Sequence, residues 1–178
     1  ENPFTDVAEN SYFIDAVLWA VENDVTTGIS ATMFGPNANC VRGQVVTFLW
    51  RAEGCPEPET TENPFKDVSE EDFFYKAVLW AVENNITTGV SADEFAPYQA
   101  CNRAHIITFL YRTLGNPETE IEVEHPFVDV EPGAFYEDAV VWAVANGIAT
   151  GVTDTHFAPE GICNRAYTVT FLYRAYAE

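Results

Sequence analysis

The chain has 178 residues, with 28 Asp or Glu against 8 Lys or Arg, so its formal net charge is −20. So few cations cannot displace the counterions of a polyphosphate, which excludes nucleic acid as a partner and disfavours an anionic membrane surface. Apolar residues reach 47% and aromatics 14%, too many for a disordered chain, yet no apolar run approaches the ~18 residues of a membrane span.

The chain does not open on a basic stretch followed by an apolar one, so no signal peptide is expected, and the sequence reads as a mature fragment of a longer protein. Its dominant feature is an internal repeat. Phe4, Phe65 and Phe127 are 61 and 62 residues apart, and the same offsets relate Trp19, Trp80 and Trp142, then Gly28, Gly89 and Gly151, then Arg42, Arg103 and Arg165. One register therefore holds through repeats 2–53, 63–114 and 125–176, with the extra residue assigned to the second linker.

Each repeat opens on an extended lead-in, NPFTDV (2–7), NPFKDV (63–68) or HPFVDV (125–130). A first helix is expected near 12–23, 73–84 and 135–146. It is apolar nearly all round, so most of its faces should be buried, and the three first helices are the expected contents of a shared core. Each ends at Asp24, Asn85 or Gly147, a C′ position suited to the left-handed backbone.

The loop that follows holds Gly28, Gly89 and Gly151, where a positive φ or a close backbone approach is expected. Pro36, Pro97 and Pro159 stiffen it. A second helix is expected near 42–53, 103–114 and 165–176. Asn102 and Asn164 stand where an N-cap belongs. Val41 cannot cap, so the first of these helices should start weakly. The polar segments 54–62 and 115–124 read as linkers. A two-helix module of this size buries too little surface alone, so 1–178 is expected to be one all-α, mainly helical, pseudo-threefold domain.

Cys40, Cys101 and Cys163 share one repeat position and read as buried small hydrophobes, while Cys55 has no counterpart. Arg51, Arg112 and Arg174 close the second helices, where a cation complements the helix dipole. Arg42, Arg103 and Arg165 stand at the opposite, unfavourable end. They need an anion there, either an internal one from Asp6, Asp67 and Asp129 or a ligand held by guanidinium and helix-end amides. Trp19, Trp80 and Trp142 fit core packing first, and as the alternative a partly exposed indole at a groove mouth stacked on a sugar face.

Catalytic patterns are absent. His105, His125 and His156 occupy three different repeat positions, and no motif for a nucleophile, a phosphate loop, zinc or a cofactor occurs. Incidental Ca²⁺ binding by carboxylates is left open.

The order F-x-D-V, apolar helix with Trp, T-G, F-x-P and x-R-A-x resembles the S-layer homology family over nearly the whole chain, three times. That resemblance implies three helical prongs around a pseudo-threefold axis. It implies a secreted, non-catalytic, monomeric anchor at the bacterial cell surface. The partner it implies is a secondary cell-wall polysaccharide carrying a pyruvate ketal, bound in grooves between neighbouring prongs.

The family's T-R-A-E segment reads VRGQ (41–44), NRAH (102–105) and NRAY (164–167). Its ligand-binding arginine carries over to Arg42, Arg103 and Arg165. The aspartates Asp6, Asp67 and Asp129, the three Trp and Gly28, Gly89 and Gly151 carry over as groove residues. Its Glu is replaced by Gln44, His105 and Tyr167, which makes three unequal grooves. Those departures also motivate the competing reading, a protein-interaction module built on the same fold.

Overall fold

The computed structural model describes residues 2–119 and 125–177, so the second linker expected at 115–124 falls partly outside the described residues, at 120–124. Six helices follow one another: α1 (Ile14–Glu22), α2 (Arg42–Ala52), α3 (Tyr75–Glu83), α4 (Arg103–Thr113), α5 (Glu137–Ala145) and α6 (Arg165–Tyr176). Among the described residues the extended segments meet only in isolated bridges, so the fold is all-α.

The odd-numbered helices begin two residues later than the sequence suggests. Phe13, Phe74 and Tyr136 stand at their N-caps and offer no capping acceptor, and in the first repeat Ile14 N–H donates to Ser11 O in a preceding turn. Each stops at a residue in the left-handed region, Asp24 (φ 56°), Asn85 (57°) and Gly147 (69°). The even-numbered helices start at the three arginines. Asn102 and Asn164 accept from the N3 amides of His105 and Tyr167 at 2.9 Å. Val41 has no acceptor to offer, and only Gln44 reaches back to it, at 3.3 Å, so the expected weak start of α2 appears as a missing cap.

The first two amides of each even-numbered helix are satisfied by another repeat. Arg42 and Gly43 donate to Gln99 O and Pro97 O, Arg103 and Ala104 to Gly161 O and Pro159 O, and Arg165 and Ala166 to Ala38 O and Pro36 O. The dependence is cyclic: the first repeat leans on the second, the second on the third, and the third on the first. Helix packing follows the same cycle, with α2 against α3, α4 against α5 and α6 against α1.

The first helices do enter the core, as expected, with Val17, Ala77 and Ala143 fully buried, but they share it with the even-numbered helices. The even-numbered helices are central: α4 touches both α2 and α6, and each even helix buries seven residues whereas α1, α3 and α5 bury three, five and four. In α2 and α6 the buried threonines bring their partners with them, whereas the buried Thr108 hydroxyl of α4 has no partner among the described residues. Thr47 and Thr170 hydroxyls donate to the carbonyls of Gly43 and Ala166 at 2.7 Å, so their burial costs little. The first helices flank this centre, with Trp19, Val21, Tyr75, Val82 and Val144 half-buried against it.

On the axis the chains close a ring of backbone bonds. Cys40 N–H donates to Cys163 O, Cys101 N–H to Cys40 O and Cys163 N–H to Cys101 O, at 2.9–3.0 Å. All three thiols are buried and unpaired, while Cys55 is exposed. Burial pushes Cys40 up to about 11 and Cys101 and Cys163 up to about 12, so these thiols stay protonated and inert near neutrality. In the native protein a thiol-titrating disulfide reagent should therefore modify one cysteine rapidly, and peptide mapping should place it at Cys55. The other three should react only at the rate of unfolding.

Candidate functional site

Each arginine that opens an even-numbered helix points its guanidinium into the next repeat. Arg42 Nε donates to Phe95 O at 2.9 Å, Arg103 Nε to Phe157 O at 2.9 Å and Arg165 Nε to Phe34 O at 3.0 Å. One Nη2 proton continues to Thr87 Oγ1, Thr150 O and Thr26 Oγ1 respectively. Aromatic rings flank each cation: Phe95 and Phe109 for Arg42, Phe157 and Phe171 for Arg103, Phe34 and Phe48 for Arg165, at 4.5–5.5 Å from the ring centroids. The arginines are only 3–7% exposed. Burial lowers all three pKa values, opposed by nearby thiols and by Asp67, Asp129 and Asp6, but a guanidinium keeps its proton throughout.

Among the described residues, no ion pair joins these arginines to Asp6, Asp67 or Asp129. Each carboxylate instead bridges two consecutive amides of the loop: Asp6 takes Phe34 and Gly35, Asp67 takes Phe95 and Ala96, and Asp129 takes Phe157 and Ala158, at 2.7–2.9 Å. The second residue of each pair is left-handed, with φ of 57–58° at the two alanines. The aspartate therefore holds the strained loop whose preceding carbonyl receives the arginine.

The three glycines serve the same loop. Gly28 and Gly89 have φ of 83° and 84°, and a Cβ there would meet Phe4 and Phe65 at 2.7 and 2.5 Å. Gly151 is not left-handed, but its Cβ would lie 2.5 Å from Phe127 and 2.3 Å from Thr153 O, so close approach alone requires it.

The indoles are placed in packing. Trp80 and Trp142 are 7% and 4% exposed, Trp142 lies 5.5 Å from Tyr111, and the half-buried Trp19 stacks on Tyr176. A buried indole presents no free face to a sugar ring.

Beside Arg42 a recessed groove of about 440 Å³ opens between repeats. The first repeat contributes Arg42, the second contributes the 87–90 loop and one face of α4, and the third contributes Phe135. That face carries His105, Phe109 and Arg112, at helical spacing i, i+4 and i+7. Arg112 Nη1 donates to Ile86 O at 3.1 Å, whereas Arg42 Nη1 has no acceptor among the described residues. Two guanidinia, a threonine hydroxyl at Thr88 and aromatic walls thus meet in one cleft. Such a set accepts an anionic group on a partly apolar ring.

Sequence reasoning assigned Arg112 to the helix dipole alone and overlooked Phe135. The α4 spacing could have revealed Arg112, but no periodicity reports a side chain delivered by the next repeat. By register, the positions around Arg165 are Gln44, Phe48, Arg51 and Phe73, and those around Arg103 are Tyr167, Phe171, Arg174 and Tyr12. In the latter set Tyr12 and Tyr167 are in ring contact at 5.9 Å.

Three helical repeats in a cycle, with a cationic, aromatic-walled groove between them, define a binding module. The family model of the S-layer homology domain matches residues 3–46, 64–107 and 126–166, and the chain belongs to that family. It is 32% identical over 162 residues to an endoglucanase of Bacillus sp. (strain KSM-635), covering 89% of this chain and 17% of the relative. It is 25% identical over 154 residues to a cellulosome-anchoring protein of Acetivibrio thermocellus, covering 83% and 34%. It is 32% identical over 114 residues to the surface-layer 125 kDa protein of Lysinibacillus sphaericus, covering 64% and 9%. The chain thus spans about a third or less of the length of these relatives.

The aspartate clamp has a measurable consequence. Burial raises the Asp129 carboxyl, but the amides of Phe157 and Ala158, its own amide and nearby His156 outweigh this and hold it below the ordinary aspartate value. A lowered folded pKa contributes stability that is complete above the ordinary carboxyl range and lost as pH falls through the folded value. Asp129→Asn keeps one acceptor and sets an amide against an N–H, so urea unfolding at neutral pH should show a loss of about 1–3 kcal/mol. The gap to the wild type should narrow below about pH 4.

Proposed function

We propose that this chain is a non-covalent, non-catalytic anchor that binds an anionic bacterial cell-wall polysaccharide through grooves between its repeats, as one monomeric unit over 1–178. The observation that carries the reading is the Arg42 groove, where Arg42 and Arg112 converge on a cavity that could hold a single sugar with a carboxylate. A pyruvate ketal is such a carboxylate, and a guanidinium forks onto it where an ammonium acts as a point charge. Family membership and the printed names of the surface-layer and cellulosome-anchoring relatives support a place at the cell surface. Among the described residues no helix is long and apolar enough to cross a membrane. The endoglucanase name belongs to a relative of which this chain matches 17%, and its activity does not transfer to these repeats.

The net charge of −20 opposes an anionic polymer, but screening confines that repulsion to about 8 Å at physiological salt. Inside the groove the two cations therefore prevail. Arg42, Arg103 and Arg165 act twice over, joining the repeats and supplying the positive wall of each groove. Asp6, Asp67, Asp129, Gly28, Gly89 and Gly151 shape the loop that forms the groove's other wall.

Arginine removal risks unfolding, so the test fills the grooves instead. Ile29, Val90 and Val152 are exposed, equivalent positions at the loop tips, and Val90 lines the cavity. The triple variant Ile29→Trp, Val90→Trp, Val152→Trp should keep its helical circular dichroism. It should lose more than about tenfold in affinity for purified wall polymer, equivalent to about 1.4 kcal/mol. Chemical removal of pyruvate from the polymer should weaken the wild type similarly. A folded triple variant that sediments with walls as well as the wild type does would overturn the groove assignment.

A further inference from the structure

The Arg42 groove contains a group that the other two positions lack. His105 stands where the equivalent side chains are Gln44 and Tyr167, and it lines the cavity together with Arg42 and Arg112. It is half-buried, with the Phe135 ring of the third repeat at 5.3 Å and Phe109 at 6.1 Å.

The ring's tautomer is fixed by a chain that crosses repeats. Asn102 Nδ2 donates to Glu160 Oε2 at 2.9 Å, and a carboxylate can only accept, so the Asn102 amide is oriented. Its Oδ1 already accepts the His105 backbone N–H at 2.9 Å and lies 2.6 Å from His105 Nδ1. The proton of the neutral ring therefore sits on Nδ1, and Nε2 is the nitrogen that takes up the next one.

We propose that His105 is a ligand-contacting, specificity-determining residue of the Arg42 groove, and that proton uptake at Nε2 tightens the hold on a carboxylate-bearing saccharide as pH falls. This deepens the reading of the groove as a saccharide site and rests on it. Neutral Nε2 accepts a hydrogen bond from a sugar hydroxyl. Protonated Nε2 donates one to the carboxylate and adds a third cation beside two guanidinia. The groups that face the ring are known on every side: Arg42 from the first repeat, Arg112 from its own helix, Glu160 and Phe135 from the third repeat. Burial, then Arg42 and Arg112, hold the imidazole below its ordinary pKa, with Glu160 opposing. The empty groove is therefore largely neutral at His105 near pH 7, and a bound carboxylate reverses part of that bias. The equivalent positions, Gln44 and Tyr167, carry no imidazole.

The probe is a methyl hexopyranoside bearing a pyruvate ketal, whose carboxyl, with a pKa of about 3, stays ionised at every pH used. Calorimetric titration should show the dissociation constant falling about tenfold between about pH 8 and about pH 5, the ratio produced when binding raises the histidine pKa by about one unit. His105→Gln, which installs the side chain that the equivalent position 44 already carries, should flatten this profile to the background set by net charge. His156→Gln should leave it unchanged. In parallel, NMR titration of the His105 ring should show its pKa rising when the probe is bound. Binding that is equally strong at both ends of the range, or a His105→Gln profile as steep as the wild type's, overturns the role of His105 and leaves the groove assignment standing. No binding of the probe at any pH overturns both.

Discussion

The structure depends on one interaction made three times: a buried guanidinium at the start of an even-numbered helix, donating to a loop carbonyl of the next repeat between two phenylalanine rings. A cation at the positive end of a helix, removed from water, is unfavourable on two counts. Phe95 O, Phe157 O and Phe34 O supply the opposing partial charge, and the ring faces add attraction of about 1–2 kcal/mol each when desolvated. Because the acceptors always belong to another repeat, no single repeat can satisfy its own arginine. The cost of burying the charge is met only when the cycle closes.

The same geometry explains why the loop is so heavily constrained. For the carbonyl to face the guanidinium, the following residue turns left-handed and its amide must find a partner. Asp6, Asp67 and Asp129 provide it. Gly28, Gly89 and Gly151 let the lead-in phenylalanine press against the loop where a side chain could not fit. Asp, Gly, Phe and Arg thus form one mechanical unit. The axial ring through Cys40, Cys101 and Cys163 adds three more backbone bonds between repeats and needs only that those side chains be small and apolar.

From that unit the groove arises as a by-product of closure. The arginine that joins two repeats cannot use all five of its donors on the acceptors the loop offers, and the remainder meets Arg112 across the cleft. In the proposed function, joining and binding therefore share a residue. Differences between grooves are relegated to positions 44, 105 and 167 and to the aromatic at 12, 73 or 135, which the joint does not use. The histidine enters there, lining the cavity with Arg42 and Arg112 and packing on Phe135 of the third repeat.

Much of this was legible in the residues alone. The 61- and 62-residue offsets, the helix spans, the left-handed stops at Asp24, Asn85 and Gly147, the Asn caps and the buried cysteines are all local or periodic properties, set by backbone preference within a few residues. The family and its arginine column were legible for the same reason, since a threefold repeat prints each motif three times. Other features belonged to the tertiary structure. An apolar helix is equally content at a centre or on a flank, so hydropathy could not say that α2, α4 and α6 take the middle. Nor could it say that the aspartates clamp amides instead of arginines, that Trp80 and Trp142 are buried, or that Phe135, two repeats along from Arg42, lines the groove beside it. Those facts turn on which repeat meets which. The closing of the cycle decides that, through contacts between residues that no spacing along the chain connects.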